Sequence, residues 1–234
     1  MTTLLDVREI HTFIGQFHIL EGVSVSVQTG GITVLLGRNG AGKTTTLRSI
    51  MGLLAPTRGS ITFDGAPIHG KRPHAIAQMG IGYVPEHRAI FKGLSVRENL
   101  QLAERQRGDY ARKSAFIFEL FPDLARLIEL PGGNLSGGQQ QMLAVARALV
   151  PDNRLLLIDE PSEGLAPVII EQLIAAIQRL SDQVSVLLVE QNFRVASKLA
   201  QRYVIIEEGH SPISGAMPDL MRDQALVQRY LGVA

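Results

Sequence analysis

The sequence predicts a single α/β domain, and three of its features carry that prediction. Short apolar runs typical of strands buried on both faces recur at residues 32–36, 155–158 and 186–189. Apolar residues at helical spacing follow the second of these runs. A glycine-rich stretch at residues 37–44 lies directly between the first run and a breaker-free helix that ends at Met51. With 234 residues, the chain is long enough for one large domain with an inserted lobe.

The composition excludes several classes of function. The chain has no cysteine, which rules out disulfides, thiolate metal sites and thiol catalysis. Its net charge of +1 is no polyanion-binding signature, so we expect no nucleic-acid partner. No apolar run approaches the roughly 18 residues needed to span a bilayer, and no charged-then-apolar leader opens the sequence. We therefore expect a cytosolic chain, soluble when isolated, that another chain anchors if it works at a membrane.

The first part of the chain is predicted to form an antiparallel β platform around the glycine-rich stretch. Residues 5–10 alternate loosely between apolar and polar, and residues 23–27 alternate strictly, which is the period of a half-buried strand. Residues 60–63 and 66–68 flank Asp64-Gly65, a strong signal for a hairpin with a type I′ turn.

A helical lobe is predicted to interrupt the α/β core. Residues 79–84 are typical of a buried strand, and the pattern then becomes helical, with Pro122 indicating a break between two helices. The expected division is a nucleotide-binding core with its β subdomain at residues 1–86 and 135–234, and an inserted helical subdomain at residues 87–134.

Alternating strands and helices are predicted for the remainder. One amphipathic helix has its apolar residues on one side, and a hairpin precedes a final short helix. In order, these are a strand at 155–158, a helix at 168–180, a strand at 186–189, hairpin strands at 203–206 and 211–214, and a helix at about 219–230.

The glycine-rich stretch fits the phosphate-binding pattern G-x-x-x-x-G-K-[ST]. Glycines let backbone N–H groups converge on phosphate oxygens, and the following helix adds the positive end of its dipole. Lys43 is expected to reach the β- and γ-phosphates, and the Thr44 hydroxyl to ligate Mg²⁺. A chance match in a glycine-rich turn is the alternative, and the strand–loop–helix context argues against it. The residues expected to bind ATP here are Gly37, Arg38, Asn39, Gly40, Ala41, Gly42, Lys43, Thr44 and Thr45.

A second candidate anion site opens a later helix. Ser136 and Gln139 have capping-box spacing, so a helix is expected to start there. Gly137 and Gly138 expose backbone N–H groups at the positive end of that helix. The alternative is a simple helix cap with a flexible lead-in.

Two carboxylates end the strand at residues 155–158. A carboxylate at the carboxyl end of a buried strand lies beside the ligand crevice of an α/β sheet. Asp159 therefore suits Mg²⁺, directly or through water, and Glu160 can polarise an attacking water. A glycosidase pair is disfavoured because adjacent strand residues point to opposite faces.

The ordered set of motifs resembles the ATP-binding subunits of ABC transporters. The set comprises residues 37–45, the LSGGQ string within residues 135–141, residues 155–160 and the Pro-Ser-Glu-Gly-Leu segment at 161–165. The resemblance covers essentially the whole chain and implies a P-loop NTPase fold that binds ATP and Mg²⁺. It also implies a head-to-tail dimer that sandwiches two ATP molecules, in which Ser136, Gly137 and Gly138 serve the partner's nucleotide.

Three shorter segments resemble one branch of that family. Residues 83–86, 164–167 and 189–192 are similar to the smaller ATPase subunit of branched-chain amino-acid importers and of the related urea and amide importers. That resemblance implies a second ATPase subunit, two membrane permeases and an external solute-binding protein. The chain would then lie peripherally on the cytoplasmic face of the inner membrane.

Three positions depart from the family pattern. Glu86 replaces the usual Gln at a strand end near Mg²⁺ and the permease, and we expect it to sense the metal electrostatically or through water. Gln191 replaces the usual switch His, and we expect it to orient the reaction without proton transfer, leaving Glu160 as the general base. Ile14 stands where an adenine-stacking ring is usual; Phe13 or Phe17 could supply one, or could serve the core.

Other functions remain as alternatives. An exporter ATPase has the same core motifs, because these do not set direction. A soluble ABC ATPase acting on ribosomes or DNA usually carries two cassettes or long insertions, which this chain lacks. A regulatory subunit without hydrolysis is disfavoured by Lys43, Asp159 and Glu160. The transported solute, and whether the dimer is homo- or heteromeric, are not specified by the sequence.

Overall fold

The computed structural model describes residues 2–232, and within them the chain forms ten strands and ten α-helices. The strands are β1 (Thr3–Ile14), β2 (Phe17–Gln28), β3 (Ile32–Leu36), β4 (Arg58–Phe63), β5 (Ala66–Pro67), β6 (Ile81–Val84), β7 (Leu155–Asp159), β8 (Ser185–Val189), β9 (Arg202–Glu207) and β10 (His210–Ala216). The helices are α1 (Lys43–Ile50), α2 (Pro73–Gln78), α3 (Val96–Gln101), α4 (Asp109–Leu120), α5 (Pro122–Arg126), α6 (Gly137–Leu149), α7 (Pro167–Leu180), α8 (Phe193–Leu199), α9 (Met217–Arg222) and α10 (Gln224–Leu231).

A six-stranded sheet with the order β10-β9-β3-β8-β7-β6 forms the centre of the fold. The strands from β9 to β6 pair in parallel, and β10 is antiparallel at one edge. Because parallel strands point the same way, the segments that follow β3, β6, β7 and β8 all emerge at one end of the sheet.

Burial on both faces explains why the central strands are continuous apolar runs. Along β3, Val34 and Leu36 contact the helical core, whereas Leu35 contacts the core shared with the second sheet. Along β7, Ile158 likewise contacts the helical core, and Leu157 contacts the core shared with the second sheet. The three strands predicted from these runs are confirmed.

The predicted antiparallel platform is a four-stranded sheet with the order β2-β1-β4-β5. Asp64 and Gly65 have φ of 51° and 75°, the positive values that a type I′ turn requires. Helix α1 buries Leu47 and Ile50 in the core between the two sheets. The platform therefore packs on the same face of the main sheet as α1.

The helices predicted between β6 and β7 are present. Helix α5 begins at Pro122, two residues after α4 ends, so the predicted break is confirmed. One 3-10 turn at Gly132–Asn134 leads into α6, and the Gly132 N–H donates to Leu94 O at 2.8 Å.

Two predicted elements differ from the structure. The strand expected at residues 79–84 begins only at Ile81, because α2 extends to Gln78 with Met79 as its C-cap and Gly80 has a φ of 100°. The final helix is two helices, because the Asp223 backbone is non-helical and its carboxylate caps α10 by accepting from Leu226 N at 2.9 Å. Across residues 2–232, no helix has the length and apolar character to cross a bilayer.

Candidate functional site

The glycine-rich loop joins the end of β3 to the start of α1. Gly37 has a φ of 154°, and a Cβ there would lie 2.1 Å from the Ile206 carbonyl oxygen, so the loop can follow this path only with glycine. Lys43 is the first residue of α1, which places its side chain and the helix N-terminus at the same point. The local geometry suits a phosphate group.

A cavity of about 420 Å³ opens in front of this loop. It brings together residues from the ends of β3, β6 and β7 with the tip of the β1–β2 hairpin. Its lining residues are Ile14, Ile19, Asn39, Gly40, Gly42, Lys43, Thr44, Thr45, Glu86, Glu160 and Glu163. Sequence positions more than a hundred residues apart thus meet in one site.

Lys43 lies at the floor of the cavity with only 4% of its side chain exposed. Its ammonium group donates to Gly37 O at 2.9 Å and to Arg38 O at 3.1 Å, and it pairs with Glu160 Oε1 at 3.1 Å. The cation is therefore held by the loop itself and faces the one carboxylate expected to activate water.

Asp159 is buried beside Thr44 and Tyr83. The Thr44 hydroxyl donates to Asp159 Oδ1 at 3.0 Å, and the Tyr83 hydroxyl donates to Oδ2 at 3.3 Å. Burial raises the pKa of Asp159 to about 6, against the two hydrogen bonds that lower it, and the charges of Glu160 and Glu86 add to the rise. The same burial raises the pKa of Tyr83 to about 12.

This arrangement fits Mg²⁺. Magnesium takes one or two protein ligands and completes its shell with waters and phosphate oxygens, so it needs no closed cage of acidic residues. No three His, Asp or Glu side chains in the described part of the chain cluster as such a cage. The Thr44 hydroxyl and the Asp159 carboxylate, already in contact, are oxygen ligands of the required kind.

Glu160 follows β7 with an unusual backbone. Its φ of 43° is left-handed, and its N–H donates to Val189 O on the neighbouring strand at 2.9 Å. Such conformations are maintained only where neighbouring structure enforces them, and they cluster at functional sites. The Glu160 side chain is 13% exposed and turned toward Lys43.

Gly37, Arg38, Ala41 and Asp159 adjoin residues that line the cavity but do not line it themselves, and two other groups of predicted site residues lie apart from it. Ser136 and Gly137 are exposed at the start of α6, where the predicted capping box is confirmed: the Ser136 N–H donates to the Gln139 side chain at 3.0 Å and the Gln139 N–H to Ser136 Oγ at 3.3 Å. Gly138 is packed so closely that a Cβ would lie 2.7 Å from Ile169. Gln191 is exposed beyond β8 and does not line the cavity.

The apolar end of the cavity is aliphatic. Ile14 and Ile19 line it, whereas neither Phe13 nor Phe17 does. The Phe13 ring instead stacks on His18, with the ring centroids 4.1 Å apart. Phe13 and Phe17 are 41% and 65% exposed, so the core role considered for either of them is wrong.

Sequence reasoning missed a pair of buried polar residues next to the site. Glu190 is 1% exposed and accepts from the Ser162 N–H at 3.2 Å and from the Ser162 hydroxyl at 3.0 Å. Burial raises the pKa of Glu190 to about 7. Its position directly after a parallel strand is the one feature of the sequence that could have indicated a role at the site. Its burial depends on the tertiary structure and could not be predicted.

Comparison with known proteins gives concordant matches. Residues 20–163 match the family model described as ABC transporter. The high-affinity branched-chain amino acid transport ATP-binding protein BraG of Pseudomonas aeruginosa is 39% identical over 98% of this chain and 100% of its own length. The lipopolysaccharide export system ATP-binding protein LptB of Escherichia coli K12 is 34% identical over 92% of this chain and 91% of its own.

A solved structure agrees with these matches at the level of fold. The ADP conformation of an ATP-binding cassette of an ABC transporter superposes over 100% of both chains with a TM-score of 0.86 and 24% identity. The predicted α/β fold of the ABC ATPase type is confirmed.

Proposed function

Because the chain belongs to the ABC transporter family and is one of its ATPases, we propose that it powers an importer of branched-chain amino acids or of related amides or urea. The observation that carries this proposal is the 39% identity to BraG over 98% of this chain and 100% of BraG. The segments at residues 83–86, 164–167 and 189–192, typical of that importer branch, support it.

Residues around the cavity have separate roles in binding ATP and its metal ion. Lys43 and the loop N–H groups bind the phosphates, and Thr44 with Asp159 hold Mg²⁺. When bound, Mg²⁺ neutralises charge that develops on the phosphate oxygens. Glu86 lines the same cavity, adds to the negative potential at Asp159, and senses the metal from the end of β6.

Glu160 acts as the general base. It takes a proton from water while the water oxygen bonds to the γ-phosphorus and the bond to the bridging oxygen of ADP breaks. ATP offers Lys43 a new anionic partner, so phosphate binding weakens the Lys43–Glu160 pair and frees the carboxylate for this step. Gln191 orients the reacting groups and takes no proton.

The site is completed by a second subunit. Ser136, Gly137 and Gly138 lie outside the cavity of their own chain, at the start of α6, where Ser136 and Gly137 are exposed. This position favours a role against the nucleotide of a partner ATPase, either a related subunit or a second copy. Two membrane permeases and an external solute-binding protein complete the importer, with this chain peripheral on the cytoplasmic face of the inner membrane.

An exporter is the second candidate, favoured by the 34% identity to LptB. The importer and exporter hypotheses are distinguished by isolating the complex from native membranes, identifying the copurified chains, and measuring ATPase activity with added solutes. Stimulation by a branched-chain amino acid, amide or urea together with its binding protein supports the importer. Copurification with lipopolysaccharide export components, and no response to these solutes, would refute it.

A further inference from the structure

Glu190 is a buried acid without a role in the reaction described above. It directly follows β8, its exposed fraction is 1%, and it does not line the cavity that contains Lys43 and Glu160. An apolar residue of similar size would fill this place without desolvating a carboxyl group, so packing alone does not explain an acid here.

The carboxyl group of Glu190 collects donors from two segments. Oε1 accepts from the Ser162 N–H at 3.2 Å, and Oε2 accepts from the Ser162 hydroxyl at 3.0 Å and from the Asn192 N–H at 3.4 Å. The Glu190 N–H in turn donates to Leu35 O at 3.2 Å, on the strand that leads to the phosphate loop. One side chain thus joins the ends of β7 and β8, while its own backbone is fixed to β3.

Each of the joined segments carries a group assigned to hydrolysis. Ser162 is two residues beyond Glu160, whose left-handed backbone needs support from outside its own strand. Asn192 directly follows Gln191, and its side chain caps α8 by accepting from Arg194 N at 3.1 Å. Gln191 therefore stands between two residues that are both held in place.

We propose that Glu190 is a positioning residue for ATP hydrolysis: by joining the segments after β7 and β8, it holds Glu160 and Gln191 in their working arrangement. The inference rests on the proposed role of Glu160 as the base. Glu190 does not itself touch the nucleotide, because it is buried behind the cavity wall.

The test uses the full chain and three substitutions at the link. Glu190→Ala removes every acceptor, Glu190→Gln keeps one acceptor oxygen, and Ser162→Ala removes the hydroxyl but keeps the Ser162 N–H. Asp109→Ala is the matched control, since it removes another buried carboxylate that accepts backbone N–H groups, at the start of α4 and outside the cavity. ATP-binding sites are counted by equilibrium binding, so that kcat is expressed per folded site.

We expect Glu190→Ala to lower kcat per site by about 10- to 100-fold, since a misplacement of about 1 Å in a reacting group can cost 100-fold. KM for ATP should stay within about threefold, because the Lys43 and Thr44 contacts remain. Glu190→Gln and Ser162→Ala should fall between Glu190→Ala and the wild type. Asp109→Ala should keep kcat per site while reducing the number of folded sites.

A purely structural role predicts a different pattern. If Glu190→Ala lost binding sites but kept kcat per site within about twofold of the wild type, the positioning role would be refuted. Glu160→Gln is measured alongside. Full turnover in Glu160→Gln would overturn the assigned base itself, whereas an inactive Glu160→Gln beside a fully active Glu190→Ala would overturn only the positioning role.

Discussion

Replacing Glu160 by Gln tests the central assignment with the smallest change in shape. The amide fills the same volume but cannot take a proton from water at neutral pH. A general base contributes about 100- to 10,000-fold in rate, which corresponds to about 2.7 to 5.5 kcal/mol of activation free energy. We expect turnover to fall by that factor.

The affinity for ATP should respond in the opposite direction. Glu160 Oε1 lies 3.1 Å from Lys43 Nζ, so the carboxylate competes with a phosphate for the same buried cation. The neutral amide removes that competition, while Gly37 O and Arg38 O still hold Lys43. We therefore expect ATP to bind at least as tightly as to the wild type, and a partner subunit to stay associated because the nucleotide is not consumed.

Single-turnover hydrolysis, equilibrium binding of ATP and size-exclusion chromatography measure the three expected effects. Glu163→Gln is the matched control, because it removes a carboxylate from the same cavity that is not paired with Lys43. We expect its turnover to fall by less than about tenfold. Wild-type turnover in Glu160→Gln, or an equal loss in Glu163→Gln, would refute the reasoning.

Three further substitutions give separate expectations. Lys43→Ala should weaken ATP binding about 10- to 100-fold in a fluorescent-nucleotide titration, because charge-assisted hydrogen bonds contribute about 1.5–3 kcal/mol; unchanged affinity would contradict the phosphate role. Ile14→Tyr should tighten ATP binding by about 3- to 10-fold but leave inorganic triphosphate unaffected, since a ring would face the base at the aliphatic end of the cavity; equal effects on both would place Ile14 elsewhere. Glu190 has a pKa raised from 4.5 to about 7 in the fold, so its stabilising effect is complete below pH 4.5 and is lost as the pH rises through about 7. In urea unfolding without Mg²⁺, the free energy of unfolding of the wild type should therefore fall by up to about 3 kcal/mol relative to that of Glu190→Gln between pH 4.5 and pH 8. Parallel pH profiles of the two proteins would contradict the raised pKa of Glu190.

Features with a local physical cause could be predicted from the sequence. The Asp64-Gly65 turn needs two residues with positive φ, and the start of α6 needs an acceptor at Ser136 with Gln139 three residues on. The phosphate loop is of the same kind, because its glycines and Lys43 act within a few residues of one another. In each case the residues that predict the feature lie within a few positions of one another.

The two incorrect predictions, of one final helix and of a strand from residue 79, concern features that local patterns do not determine. Helical spacing continues across Asp223, so the periodicity predicted one helix where the structure has α9 and α10. The break arises because the Asp223 side chain caps the N-terminus of α10. The strand predicted from residue 79 has apolar residues that suit either structure, and Met79 belongs to the end of α2. Short apolar segments are ambiguous until their packing is known.

Glu190 and Ser162 illustrate the limit most clearly, because 28 residues separate them and no pattern links them. They meet because β8 inserts between β3 and β7 in the sheet, so the segments leaving three strands emerge side by side. A residue directly after β8 lies between β3 and β7 in the sheet and can contact both of them. The sheet order therefore explains how Glu190, directly after β8, contacts both Leu35 of β3 and Ser162 beyond β7, which is the arrangement that the proposed positioning role requires.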